Sequence, residues 1–168
     1  MKEATFTIKT EDNVNVFVYS WAPDEGVSIK GAVQIFHGMA EHAARYQDFA
    51  AYLVRKGYAV FANDHRGHGK TAGALQYTGY ISVNNSWKSI LADTKLLNEH
   101  IHKTLPNIPV FVHGHSMGSF YVRAFLEIFP GNISGVVLSG TAWHPALLVN
   151  FGLMVAKIQS VVSGEKNK

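Results

Sequence analysis

The 168-residue sequence has no cysteine. That excludes a disulfide framework, a thiolate nucleophile and cysteine-held metal centres, and it fits a reducing, cytoplasmic setting. Charge is sparse: Asp, Glu, Lys and Arg make up 16% of residues, and the net charge is +3. The basic residues are scattered, so no nucleic-acid partner is expected. No apolar run reaches the roughly 18 residues of a membrane span. The first ten residues alternate polar and apolar, with no basic head leading into an apolar run, so no secretory signal is read there. Internal repeats and low-complexity tracts are absent as well. What is present is a globular composition, 47% hydrophobic with 15 glycines and 10 phenylalanines, suited to one mixed α/β domain with many turns.

Two alternating stretches, residues 4–10 and 14–21, flank Asp12-Asn13 and predict a β-hairpin. Phe6 and Ile8 share one face of the first stretch, and Val14, Val16 and Val18 share one face of the second. The character then changes to short apolar runs alternating with helical patterns. Strands are expected at 32–36, 58–62, 110–112 and 133–138, and helices at 43–56, 86–104 and 117–129. In the first helix Tyr46, Phe49, Ala50 and Leu53 recur at core spacing, and Gly57 stops it. Strands separated by crossover helices make a mostly parallel sheet with helices on both faces, and the hairpin adds an antiparallel edge. Residues 145–162 read as one amphipathic helix or two short ones, and 163–168 as a polar end.

Gly114-His115-Ser116-Met117-Gly118 matches G-x-S-x-G, directly after an expected strand and at the start of an expected helix. In that context the motif is a nucleophile elbow: a sharp, strained turn that raises the serine hydroxyl above the carboxyl ends of the strands. A Cβ two residues before or after the serine would crowd the neighbouring strand and helix, hence the two glycines. The new helix also points its first amides at the site, which favours developing negative charge. An acyl-transfer serine needs an oxyanion hole, built from the amide after the nucleophile and one from an earlier strand-end loop. His37-Gly38-Met39-Ala40-Glu41-His42 follows the strand at 32–36. The two donors are therefore expected to be the Met39 and Met117 N–H groups.

These two segments, with Asp64-His65-Arg66-Gly67-His68-Gly69, resemble the monoacylglycerol lipase and lysophospholipase branch of the α/β-hydrolases over residues 4–144. The resemblance implies the α/β-hydrolase fold, with Ser116 as nucleophile and Met39 and Met117 supplying the oxyanion-hole amides. It further implies supporting roles for His37, Gly38, Gly114, His115 and Gly118, and for Glu41 and His42 in bracing the oxyanion loop. The Asp64 to Gly69 loop would be structural, and no cofactor would be required. Ala40 stands where the branch usually has a second glycine, and Thr71 where it usually has a serine.

A serine hydroxyl also needs a base and an orienting acid, which in this fold follow it in the order acid, then histidine. After Ser116 the only acids are Glu127 and Glu165 and the only histidine is His144. Glu127 falls inside the helix that follows the elbow, and His144 precedes any acid that could orient it. The base and acid are therefore expected beyond residue 168. Residues 1–144 would be the N-terminal part of a hydrolase core and 145–168 the start of a cap. The expected partners are a lipid-like ester substrate, the remainder of the hydrolase chain and, through the cap, a membrane or micelle surface.

His113 and His115 in H-x-H spacing, with His65 and His68, raise a metal site, but no acid or cysteine completes a shell. The glycines at 67–73 lack the G-x-x-x-x-G-K-[ST] spacing of a phosphate loop. A peptidase-like or thioesterase member of the fold, or a hydrolase-fold binding module without catalysis, is also compatible with these motifs.

Overall fold

The computed structural model describes residues 1–81, 86–131 and 133–163. Strands β1 (Lys2–Lys9) and β2 (Asn15–Ala22) pair antiparallel with Phe6 opposite Val18. Their connection turns through Asn13 at φ 63°, a left-handed conformation that asparagine tolerates. The sheet continues through β3 (Gly31–Phe36), β4 (Tyr58–Asn63), β5 (Val110–His115) and β6 (Gly135–Ser139) in the order β1-β2-β4-β3-β5-β6. Strands β4, β3, β5 and β6 are parallel, and β2 pairs antiparallel with β4. This is the mostly parallel sheet that the strand and helix alternation predicts, with the antiparallel hairpin at its edge.

Helix α1 (Gln47–Arg55) covers one face of the sheet. Ala50 and Val54 pack there with Trp21, Val33, Ile35, Val60 and Ala62. Helices α2 (Ser86–Thr104) and α3 (Met117–Ile128) cover the other face, where Leu97 and Ile101 meet Ala32, Ala59 and Val110, and Val122 and Phe125 meet Phe36 and Val112. Each central strand is buried on both sides, which is why β3 and β4 read as continuous apolar runs.

Three expectations are corrected. The helix expected at 43–56 is divided: Ala43–Tyr46 is a 3-10 turn and α1 proper starts at Gln47. Ala43 is fully buried in that turn, its amide donating to Asp64 Oδ1 at 2.8 Å, so the chain is tied to β4 before it can enter a regular helix. Phe49, placed in the core by its spacing, is instead 39% exposed, and Val54 takes the inward position. Strand β5 runs three residues further than its apolar stretch, through His113 and Gly114 to His115, because its pairing with β3 and β6 continues.

Helix α4 (Ala146–Ser163) follows β6, and its apolar side chains, among them Leu147, Phe151, Leu153, Ile158 and Val161, are exposed. Val136, Val137 and Leu138 of the edge strand β6 are exposed too. Among the described residues, no helix is long and apolar enough to cross a membrane. Glu165 and the rest of the polar end after Ser163 lie outside the described residues.

Candidate active site

Ser116 joins β5 to α3 with φ 50° and ψ −118°, a conformation that L-residues seldom hold unless their surroundings impose it. The surroundings here are specific. A Cβ on Gly114 would fall 2.7 Å from Gly118 O and 2.8 Å from Ser119 Cα, and a Cβ on Gly118 would collide with Phe36 O. The two glycines thus let α3 close against the ends of β5 and β3. Ser116 N–H donates to Ser139 O at 2.9 Å, tethering the turn to the end of β6. Ser119 holds the other side, its backbone N–H and its hydroxyl both donating to Ser116 O, at 2.9 and 2.6 Å.

The Ser116 hydroxyl is left out of this scaffolding. A serine at a helix N-cap ordinarily accepts from an amide of the first turn, but Ser116 makes no side-chain capping bond. Among the described residues, its Oγ is bonded to no histidine nitrogen. The Met39 and Met117 N–H groups likewise donate to no acceptor among the described residues. The turn therefore presents one free hydroxyl, one free amide at the start of α3 and one on the loop after β3. That combination can attack a carbonyl and hold the resulting oxyanion.

The loop after β3 is pressed onto the turn. A Cβ on Gly38 would lie 3.2 Å from Ser116 Cβ and 2.8 Å from Glu41 Oε1. Glu41 Oε1 accepts the Gly38 N–H and, at 3.0 Å, the Tyr46 hydroxyl, and its Oε2 pairs with Arg45 at 3.4 Å. His42 is exposed and makes no side-chain capping bond, and its carbonyl accepts Arg45 N–H of the 3-10 turn. Ala40 has φ 57°, the left-handed region, which explains the glycine usual at that position.

Behind the loop lies a group of buried imidazoles. His37 is fully buried; its Nδ1–H donates to Gly38 O at 2.7 Å and its Nε2 accepts His65 N–H at 2.9 Å. Both nitrogens are thereby occupied in the neutral form, and burial pushes the group down to about 4. The His65 and His68 rings pack on His37 at 4.1 and 5.2 Å, and burial holds His65 well below the usual histidine range. The first contact is tilted and the second edge-on.

The Asp64 to Gly69 loop is held by its own carboxylate. Asp64 Oδ1 accepts Ala43 N–H and Oδ2 accepts Lys70 N–H, while a Cβ on Gly69 would collide with that carboxylate. The Thr71 hydroxyl accepts Phe17 N–H at 2.8 Å, a bond that serine would also make. Arg66 reaches in two directions, donating twice to buried Asp93 of α2 and twice to Asp12 in the hairpin turn.

His113 and His115 lie on the α1 side of β5. Glu41, Arg45, Tyr46, Phe49 and these two histidines line an open cavity of about 330 Å³ beside the loop. His115 Nδ1 meets Ser139 Oγ at 2.9 Å, whereas burial and the neighbouring His115 lower His113, whose Nδ1 is unpartnered. Among the described residues, no group of three His, Cys, Asp or Glu side chains could hold a metal ion. Glu127 is exposed on the last turn of α3 and His144 is exposed between β6 and α4. Tyr46 and Ser139 were not legible as site residues: the first matches a core helix position and the second ends an apolar strand.

The family described as serine aminopeptidase, S33 matches residues 27–165. This chain belongs to that family of α/β-hydrolases. A monoacylglycerol lipase from Mycolicibacterium smegmatis is 37% identical over 122 residues, covering 73% of the chain and 41% of that protein. Human monoglyceride lipase is 29% identical over 153 residues, covering 90% of the chain and 48% of that protein. Among solved structures, a highly thermostable carboxyl esterase from Bacillus coagulans superposes with a TM-score of 0.83 at 28% identity, over 95% of the chain and 50% of the esterase. The hydrolase chain thus spans about half the length of the relatives it matches. The lipase-like resemblance carried by its three motifs agrees with these likenesses.

Proposed function

We propose that this hydrolase chain carries the nucleophile and oxyanion hole of a serine ester hydrolase acting on monoacylglycerols or lysophospholipids. The observation that carries the reading is the Ser116 turn: a strained serine with an uncommitted hydroxyl, followed by the Met117 amide and packed against the loop that carries the Met39 amide. Ser116 Oγ attacks the ester carbonyl, and the Met39 and Met117 N–H groups hold the oxyanion. A histidine from the remainder of the hydrolase takes the serine proton and passes it to the departing alcohol. Water then cleaves the acyl-serine, releasing the fatty acid and restoring the hydroxyl. The acid and histidine lie outside residues 1–168 on this reading, and the segment from residue 145 begins a cap over the acyl pocket. The exposed apolar side chains of α4 suit a surface that meets lipid. The lipase and esterase relatives favour an ester substrate over a peptide or thioester.

The test is turnover by the complete protein on a panel holding a monoacylglycerol, a lysophospholipid, an acyl thioester and an aminoacyl anilide. The two glycerol esters should be hydrolysed fastest, and Ser116→Ala should reduce that activity by at least 10³-fold while leaving the melting temperature within a few degrees. Preference for the anilide would transfer the site to peptide chemistry. Undiminished turnover by Ser116→Ala would refute the assignment.

A further inference from the structure

Glu41 is the hub of the loop facing Ser116, and one donor to it comes from outside the loop. Tyr46 is the last residue of the 3-10 turn, immediately before α1, so its backbone is fixed by the chain entering that helix. Its ring is half-buried and stands edge-on to His113 of β5, with ring centres 6.2 Å apart. Strand β5 is also the strand that delivers Ser116. Tyr46 is thereby referenced to the same rigid element as the serine, and its hydroxyl reaches Glu41 Oε1 at 3.0 Å. That one oxygen also accepts Gly38 N–H. The chain of contacts runs from β5 through the Tyr46 ring and hydroxyl to the Glu41 carboxylate, and from there to the Gly38 amide.

We infer that Tyr46 is a positioning residue for the oxyanion loop, acting through Glu41 to fix the Gly38 peptide and so the direction of the Met39 N–H that follows it. Arg45 cannot substitute for it. Its side chain is mostly exposed, and it contacts the other carboxylate oxygen at 3.4 Å, a contact that leaves Oε1 free to swing. The phenol is the rigid partner. Burial, and then the hydrogen bond to Glu41, keep it protonated, so it donates throughout the neutral range. An amide held this way needs no reorganisation when negative charge develops on the substrate, and such preorganisation is the main source of oxyanion stabilisation.

The inference rests on the ester-hydrolase reading, and its test keeps the two apart. In the complete protein, Tyr46→Phe retains the ring against His113 and deletes only the donor. The expected result is a fall in kcat of about three- to tenfold with KM within twofold, the size of one hydrogen bond. Affinity for a trifluoromethyl ketone that mimics the tetrahedral intermediate should fall by the same factor, which a merely structural role would not produce. Because Tyr46 acts through Glu41, the effect of Tyr46→Phe should largely vanish in a Glu41→Ala background. Independent of turnover, the Gly38 amide should exchange with solvent faster in Tyr46→Phe than in the parent. An inactive parent would count against the hydrolase reading alone, and Gly38 exchange would still decide the role of Tyr46. Unchanged Gly38 exchange, or additive losses in the double variant, would overturn the inference.

Discussion

Ala40 shows how a single residue can be out of step with the backbone it occupies. At φ 57° its Cβ crowds the following carbonyl, which costs about 1–2 kcal/mol in an L-residue. Glycine avoids that clash but loses more freedom on folding, about 0.5–1 kcal/mol relative to alanine. The steric term is the larger, so Ala40→Gly should stabilise the protein by roughly 0.5–1 kcal/mol, about 1–4 °C in melting temperature. Thermal unfolding of the two forms measures this, and a lower melting temperature for the variant would contradict it. The contrast with Ser116 is instructive. Its strain at φ 50° sits at the candidate nucleophile, held from both sides by Ser139 and Ser119, and no substitution there relieves it without removing the hydroxyl.

At the scale of elements, Arg66 joins three pieces of structure: its own loop, α2 through Asp93 and the hairpin turn through Asp12. The two ion pairs differ in kind. Asp93 is 2% exposed and Asp12 is 56% exposed. Burial pushes the Asp93 carboxyl up while the guanidinium pulls it down, whereas hydrogen bonds from Arg66 and Thr10 hold Asp12 well below the usual carboxylate range. Breaking the buried pair leaves an uncompensated charge, so Arg66→Met should destabilise the protein by about 3–5 kcal/mol. Asp12→Ala should change stability by no more than about 1 kcal/mol, because solvent already screens that end. Urea unfolding of both variants checks the contrast, and equal losses would show that the Asp12 arm is as strong as the buried one.

The elements themselves were legible where burial is two-sided or strictly alternating. The hairpin, β3, β4 and the elbow between β5 and α3 follow from apolar pattern and glycine spacing. The 3-10 turn at Ala43–Tyr46 was not, because the Asp64 carboxylate that captures Ala43 N–H is 21 residues away in sequence. The same holds for Tyr46. Its spacing fits a core face equally well, and only the folded loop brings Glu41 to its hydroxyl. Backbone tethers such as Ser139 O leave no side-chain signature at all.

Across the whole molecule, the buried imidazoles make stability depend on pH. His37 titrates near 4 when folded against 6.5 when free, so the unfolded chain binds more protons between those values. Its contribution is fully present above pH 6.5 and is lost as pH falls toward 4, amounting to about 3 kcal/mol. His65 adds in the same direction. Asp12, depressed below its usual range, loses its contribution only in more acidic solution, so it does not mask the effect. Unfolding free energy measured at pH 7 and pH 4.5 should fall by about 2–3 kcal/mol, and His37→Asn should flatten that slope, since it removes the titrating ring while its amide can still donate to Gly38 O. A flat profile in the parent would mean that His37 is not held neutral.

The central claim is that Ser116 is a working nucleophile, and covalent labelling tests it most directly. The complete protein, treated with a fluorophosphonate and mapped by peptide mass spectrometry, should carry one adduct, on Ser116, and Ser116→Ala should carry none. An unlabelled parent, or an adduct on another residue, would contradict the account.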